Sequence, residues 1–212
     1  MGKVMKKEIL ITLEGNEGCG KSTQIRLLYN FLKMKKKRVF LTREPGGTAI
    51  SDSIRSVLLD NKNKKMSGVC ETLLYMASRA QLVSEVIMPR LKRGEIILCD
   101  RWSDATIAYQ GFGAGIDVKW IHSLADKATG GIKPSLSLFL DLPLEIGLQR
   151  AVSHKKADRM EEKNFLFHRR VRKGYEWIAR REPKRFRRVS IGADDSVEIV
   201  HEKIKKEVLR VL

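Results

Sequence analysis

The chain has 212 residues, of which 42% are apolar and 32% charged, the balance of one soluble domain with a sizeable core. No apolar run is long enough to span a bilayer, and the basic start with its short apolar stretch does not read as a signal peptide, so the reading is cytoplasmic. The net charge of +17 favours anionic partners, but the basic runs carry no interleaved aromatics, which excludes a single-strand stacking platform. The three cysteines form no CxxC pair, which argues against structural zinc.

In chain order, short apolar runs alternate with helix-like segments. A strand is predicted over Glu8–Glu14, then a helix over Lys21–Lys35. A second strand, Arg38–Thr42, precedes helices at Ser51–Leu59 and Val69–Leu91. A third, Glu95–Cys99, precedes Ser103–Gln110 and Val118–Ala128. The fourth, Ser135–Asp141, leads to Leu144–Ser153 and Asn164–Arg180. The fifth, Arg187–Ile191, is followed by Asp195–Val211. This alternation predicts a three-layer α/β/α fold, a five-stranded parallel sheet with helices on both faces, in a single domain. Ligands should collect at the carboxyl ends of the strands.

Between the first strand and first helix lies GNEGCGKST, from Gly15 to Thr23, which fits G-x-x-x-x-G-K-[ST]. Its backbone N–H groups would wrap phosphates, assisted by the positive end of the following helix. Lys21 would reach the β- and γ-phosphates, and the Ser22 hydroxyl would bind Mg²⁺. The third strand ends in Asp100-Arg101. The acid is placed to hold Mg²⁺ through water, and the arginine to lie between donor and acceptor phosphates. Tyr75 and Arg79 share a helix face, a flat ring beside a donor fork, which suits a nucleobase. The second strand ends in TREPGGT (42–48), where Arg43 and Arg55 could meet an anion. Taken alone, Asp104–Gly115, with Tyr109 beside Gln110, reads as a glycine-relieved loop. His154–Arg159 reads as a basic segment able to close over phosphates and exclude water.

Together these motifs resemble the thymidylate kinase (dTMP kinase) family of P-loop proteins over nearly the whole chain. The carrying stretches are GNEGCGKST, TREPGGT, YMASR (75–79), DRWSDATIAYQGFGAG (100–115) and RAVSHKKADR (150–159). The resemblance is closest to the bacterial type, because the position after Glu17, where some members place an arginine, is Gly18. It implies transfer of a phosphoryl group from ATP to dTMP with Mg²⁺, no specific nucleic acid or membrane partner, and a homodimer. Gly15, Asn16, Glu17, Gly18, Cys19, Gly20, Lys21, Ser22 and Thr23 would hold ATP, together with Arg150. Ser22 and Asp100 would serve the metal. Glu17 would meet the acceptor's 3′-hydroxyl, and Arg101 its phosphate, with Arg55 alongside. Tyr75 would stack on thymine, Arg79 would donate to its carbonyl, and Thr106 and Gln110 would read its edge. Tyr109 would crowd the 2′ position. A lid over about 150–163, with Arg150, His154, Lys155, Lys156 and Arg159, would bring cations to the phosphoryl group in transfer. The chain departs from the pattern at Trp102, where Tyr or His is usual, and at His154, where an arginine is frequent.

Overall fold

The computed structural model describes residues 8–154 and 158–212. Five parallel strands form one sheet in the order β2-β3-β1-β4-β5. They are β1 (Ile9–Glu14), β2 (Val39–Arg43), β3 (Ile96–Asp100), β4 (Leu136–Asp141) and β5 (Phe186–Ser190). β1 and β4 are buried along their whole length, as interior parallel strands covered on both faces should be.

The pleat sends alternate residues to opposite layers. Ile9, Ile11 and Leu13 of β1, with Leu136, Leu138 and Leu140 of β4, face α1 (Lys21–Met34) and α9 (Val197–Leu209). Ile25, Leu28 and Leu32 from α1 and Val200, Ile204 and Val208 from α9 complete that layer. On the other face, Leu10, Ile97 and Cys99 meet Leu82, Val83, Ile87 and Leu91. Farther along that face, Phe139 and Phe186 pack with Tyr175 and Val171 of α8 (Phe165–Arg181).

The remaining helices are α2 (Ala49–Leu59), α3 (Gly68–Leu82), α4 (Met88–Lys92), α5 (Ser103–Thr106), α6 (Val118–Thr129) and α7 (Leu144–His154). Two expected helices differ. The segment expected as a continuous Val69–Leu91 helix is α3, a π-helical stretch at Val83–Ile87, and then α4. Pro89 lies at the start of α4 and has no N–H, so the ladder is interrupted there and the preceding turn is widened. The helix expected over Ser103–Gln110 is α5 followed by a π-helical stretch from Ile107 to Gly113. The Ala114 N–H bonds the Tyr109 carbonyl, five residues back, at 2.9 Å.

This second π stretch lies against α8. One close approach is at Gly174, where an added Cβ would meet Ala108 Cα at 2.8 Å and the Phe112 ring at 3.0 Å. Because the nearer obstacle is backbone, it cannot swing aside. Gly174→Ala is therefore expected to destabilise the fold by about 1–3 kcal/mol and to lower Tm by roughly 2–4 °C per kcal/mol in a chain of this size. Differential scanning calorimetry checks this, and a Tm within about 1 °C of the parent would exclude the tight contact.

Candidate active site

The carboxyl ends of β1, β2 and β3 open into one cavity of about 720 Å³. The P-loop lines one end, Tyr75, Arg79, Thr106 and Gln110 line the other, and Asp100 and Arg101 lie between.

At the first end, α1 starts from Gly20 with no side-chain cap, whereas Thr48, Ser67, Asp117, Asn164 and Ser196 cap α2, α3, α6, α8 and α9. The first turn of α1 therefore offers its N–H groups to an anion. Lys21 Nζ donates to the Gly15 and Asn16 carbonyls at 3.1 and 2.8 Å, so the ammonium is held inside the loop. Asn16 Nδ2 donates to the His168 carbonyl at 3.1 Å, which fastens the loop to α8. Gly18 has φ +68°, and an added Cβ would lie 1.8 Å from the Gly147 carbonyl oxygen. A side chain at that position, arginine included, does not fit against α7.

In the middle, Arg101 has φ +73°, a strained conformation for a bulky residue. It turns the side chain back under the P-loop. Nη1 donates to the Gly15 carbonyl at 2.9 Å and to the Tyr175 hydroxyl at 3.1 Å, and Nη2 donates to Glu17 Oε1 at 2.7 Å. The Tyr109 hydroxyl donates to the same Glu17 oxygen at 2.7 Å. The Ser22 hydroxyl lies 3.4 Å from Asp100 Oδ2. These are two hard oxygen donors on a shared edge, a set that suits Mg²⁺ completed by water and substrate phosphates. Among the described residues no group of three or more His, Cys, Asp or Glu could form a dedicated metal cage.

At the far end, Arg79 is almost fully buried. Nε donates to Glu44 Oε2 at 2.7 Å, and Nη2 to Thr106 Oγ1 at 3.0 Å. The guanidinium lies 5.7 Å from the centre of the Trp102 ring, so the departure at 102 still gives an aromatic support. Gln110 Nε2 donates to Glu71 Oε1 at 2.8 Å. On the rim, Arg55 Nη1 donates to the Pro45 carbonyl at 2.8 Å, and Arg43 lies 3.5 Å from Asp52.

A family model described as thymidylate kinase matches residues 13–204. The chain belongs to the thymidylate kinase family. A thymidylate kinase of Trichlorobacter lovleyi is 52% identical over 184 residues, covering 84% of this chain and 87% of its own length. One from Kosmotoga olearia is 41% identical over 204 residues, covering 96% and 97%. The crystal structure of thymidylate kinase from Ehrlichia chaffeensis superposes with a TM-score of 0.78 at 33% identity, covering 95% of this chain and 98% of that one.

Of the residues that the family resemblance singles out, Glu17 to Thr23 of the P-loop, Arg55, Tyr75, Arg79, Asp100, Arg101, Thr106, Tyr109 and Gln110 line the cavity, and Gly15 and Asn16 do not. Arg150 lines it too, and Arg150 Nη2 reaches the Ala193 carbonyl at 3.4 Å. Arg159 does not join them, which corrects its expected place among the cations at the phosphates. It is 2% exposed, its Nη1 lies 2.6 Å from Glu71 Oε2, and its Nε donates to the Leu58 carbonyl at 2.7 Å. Its charge is therefore spent within the fold, beneath the base end of the cavity. The expectations for the side chains of His154, Lys155 and Lys156 lie outside the described residues.

Sequence reasoning missed four buried groups: Glu14, Glu44, Glu71 and Tyr175. Glu14 did leave a signal, an acid closing an apolar strand just before Gly15. Tyr175 OH donates to Glu14 Oε2 at 3.3 Å while accepting from Arg101. Burial, with Asp104 nearby, pushes the Glu14 carboxyl well above its ordinary range. Burial would also raise Glu17, but Arg101, Lys21 and the Tyr109 hydrogen bond outweigh it and hold that carboxyl at about 2. Burial alone would lower Arg101, and Glu17 reverses this, so its charge is secured.

The depressed Glu17 value makes a stability statement. Its contribution is complete above the ordinary value of 4.5 and is lost as pH falls toward about 2. The stability gap between the parent and Glu17→Gln, measured by urea unfolding, should narrow as pH falls from about 5 to about 3. A gap that stays constant across that window would mean that Glu17 is not held ionised by Arg101.

Proposed function

We propose that this protein transfers the γ-phosphoryl group of ATP to the phosphate of dTMP, with Mg²⁺, giving ADP and dTDP. The observation that carries this reading is the single cavity with a phosphate cradle at one end, a nucleobase-sized polar pocket at the other, and Arg101 between them. Membership of the thymidylate kinase family supports it.

In this reading the loop N–H groups and Lys21 hold the donor phosphates, with Ser22 and Thr23 at the helix start. Ser22 and Asp100 would hold Mg²⁺, which when bound offsets phosphate charge. Arg101 holds the acceptor phosphate in line, and Arg55 supports it from the rim. Tyr75 stacks on the base, while Arg79, Thr106 and Gln110 read its polar edge. Tyr109, fixed on Glu17, fills the space beside the sugar. Arg150, at the start of the lid, lines the cavity, and the lid excludes water from the reacting phosphates.

No general base is required, because the acceptor oxygen is already anionic. Positioning and electrostatic stabilisation supply the rate. The state of Glu17 favours this over transfer to a sugar hydroxyl. A carboxylate held at about 2, with one oxygen shared by Arg101 and Tyr109, is a poor proton acceptor near neutral pH.

The same reading places the enzyme in the cytoplasm as a homodimer, without a nucleic acid or membrane partner. Among the described residues no helix is long and apolar enough to cross a membrane. Ile50 and Val57 of α2, with Val69 and Leu73 of α3, are 46–55% exposed, an apolar face that suits a second copy. Analytical ultracentrifugation at micromolar concentration is expected to give twice the chain mass, and a monomer would overturn the dimer.

ADP release, measured by a coupled assay with ATP and Mg²⁺, should depend on dTMP and stay at background with thymidine or no acceptor. Arg101→Ala should lower turnover by at least ~10²-fold, the scale of losing one charge-stabilising donor. Release without acceptor, or an Arg101→Ala enzyme within a few-fold of the parent, would defeat the assignment.

A further inference from the structure

Gln110 and Arg159 meet on one buried carboxylate. Glu71, 3% exposed near the start of α3, uses Oε1 to accept from Gln110 Nε2 at 2.8 Å and sets Oε2 2.6 Å from Arg159 Nη1. Arg159 is itself fixed twice to the end of α2, through Nε to the Leu58 carbonyl at 2.7 Å and through its backbone N–H to the Leu59 carbonyl at 3.3 Å. All three side chains are nearly inaccessible.

This arrangement decides which way a carboxamide points. The two ends of a glutamine amide differ only in hydrogen-bonding sense, so their order follows from the partners. A carboxylate paired with a guanidinium has only lone pairs to offer. It must take the Gln110 NH₂ group, which leaves the Gln110 carbonyl oxygen as the end available to the cavity that Gln110 lines. A carbonyl there accepts a hydrogen bond and cannot donate one.

We infer that Glu71, held by Arg159, is a positioning residue that fixes the Gln110 amide as an acceptor and thereby selects a pyrimidine carrying N3–H over one with a bare N3. The inference rests on the proposed function. Thymine and uracil carry a hydrogen at N3, while cytosine presents a lone pair there. Facing a second lone pair, cytosine would leave a buried polar group unmatched, the condition that gives strong discrimination. Arg159 acts only through Glu71 and touches no substrate.

The substitution Glu71→Gln tests this at nearly constant shape. Arg159 still demands an acceptor, so the new amide turns its oxygen to the guanidinium and its NH₂ group to Gln110. Gln110 must then reverse and present NH₂ to the cavity. The ratio of kcat/KM for dTMP over dCMP should fall at least ~10-fold, mainly through KM, the scale of one mispaired buried polar contact. The dTMP over dUMP ratio should stay within about two-fold, because both bases carry N3–H. A general loosening of the fold would lower activity on all three acceptors alike.

The substitution also leaves Arg159 buried without a carboxylate, which is costly. The double variant Glu71→Gln with Arg159→Met removes both charges and frees the amide to take either sense. Its dTMP over dCMP ratio should fall between those of the parent and of Glu71→Gln. A parent-like ratio in either folded variant, or equal loss on dUMP and dCMP, overturns the inference. Failure of the parent to phosphorylate dTMP would instead overturn the proposed function.

Discussion

The Arg101 guanidinium is the tie on which the site depends. It joins the end of β3 to the P-loop through Gly15 and Glu17, and to α8 through Tyr175. The contacts require the chain to turn with φ +73° immediately after the strand, a cost that the three partners together offset. Because Glu17 also takes the Tyr109 hydroxyl, the tie reaches the π-helical stretch that lines the cavity. Donor loop, acceptor pocket and supporting helix therefore share one charge-centred junction, and any displacement of Arg101 moves all three.

Beneath that junction the sheet carries a polar layer that its pleat places on the α8 side. Thr12 Oγ1 donates to Ser137 at 2.8 Å, and Ser137 donates to Asp104 at 2.8 Å. Arg185 then grips Asp104 through two nitrogens, at 2.7 and 2.8 Å. Fork-to-fork pairing of this kind adds direction as well as attraction. It anchors the start of α5 to the sheet, and α5 bears Thr106 and leads directly into the turns that bear Tyr109 and Gln110. The precision of the base pocket thus originates in hydrogen bonds made well below it.

The fold was legible because parallel strands buried on both faces write themselves as short apolar runs, and each was placed to within about two residues. The phosphate cradle was legible because its glycines, lysine and hydroxyl are local in sequence. What escaped was non-local. The π turns at Val83–Ile87 and Ile107–Gly113 keep helical composition, so periodicity alone cannot separate them from α-helix. Arg159 looked like a phosphate ligand because it lies in a basic segment, and only the fold reveals Glu71 waiting for it across the α2–α3 pair. Glu44, Glu71 and Tyr175 carry no local signature, since each acts on a partner more than thirty residues away.

The close contact between the P-loop and α7 bears on how such a sequence can drift. Gly18 and Gly147 exclude each other's side chains, for a Cβ on Gly147 would also fall 2.6 Å from the Glu17 carbonyl oxygen. Neither position can change first, since the intermediate with one glycine replaced would wedge the loop away from the helix. A lineage carrying this pair is confined to loops without a cation at position 18. Any added positive charge has to come from outside the loop. Which part of the active site remains free to evolve is thereby fixed by the backbone, before any chemistry is selected.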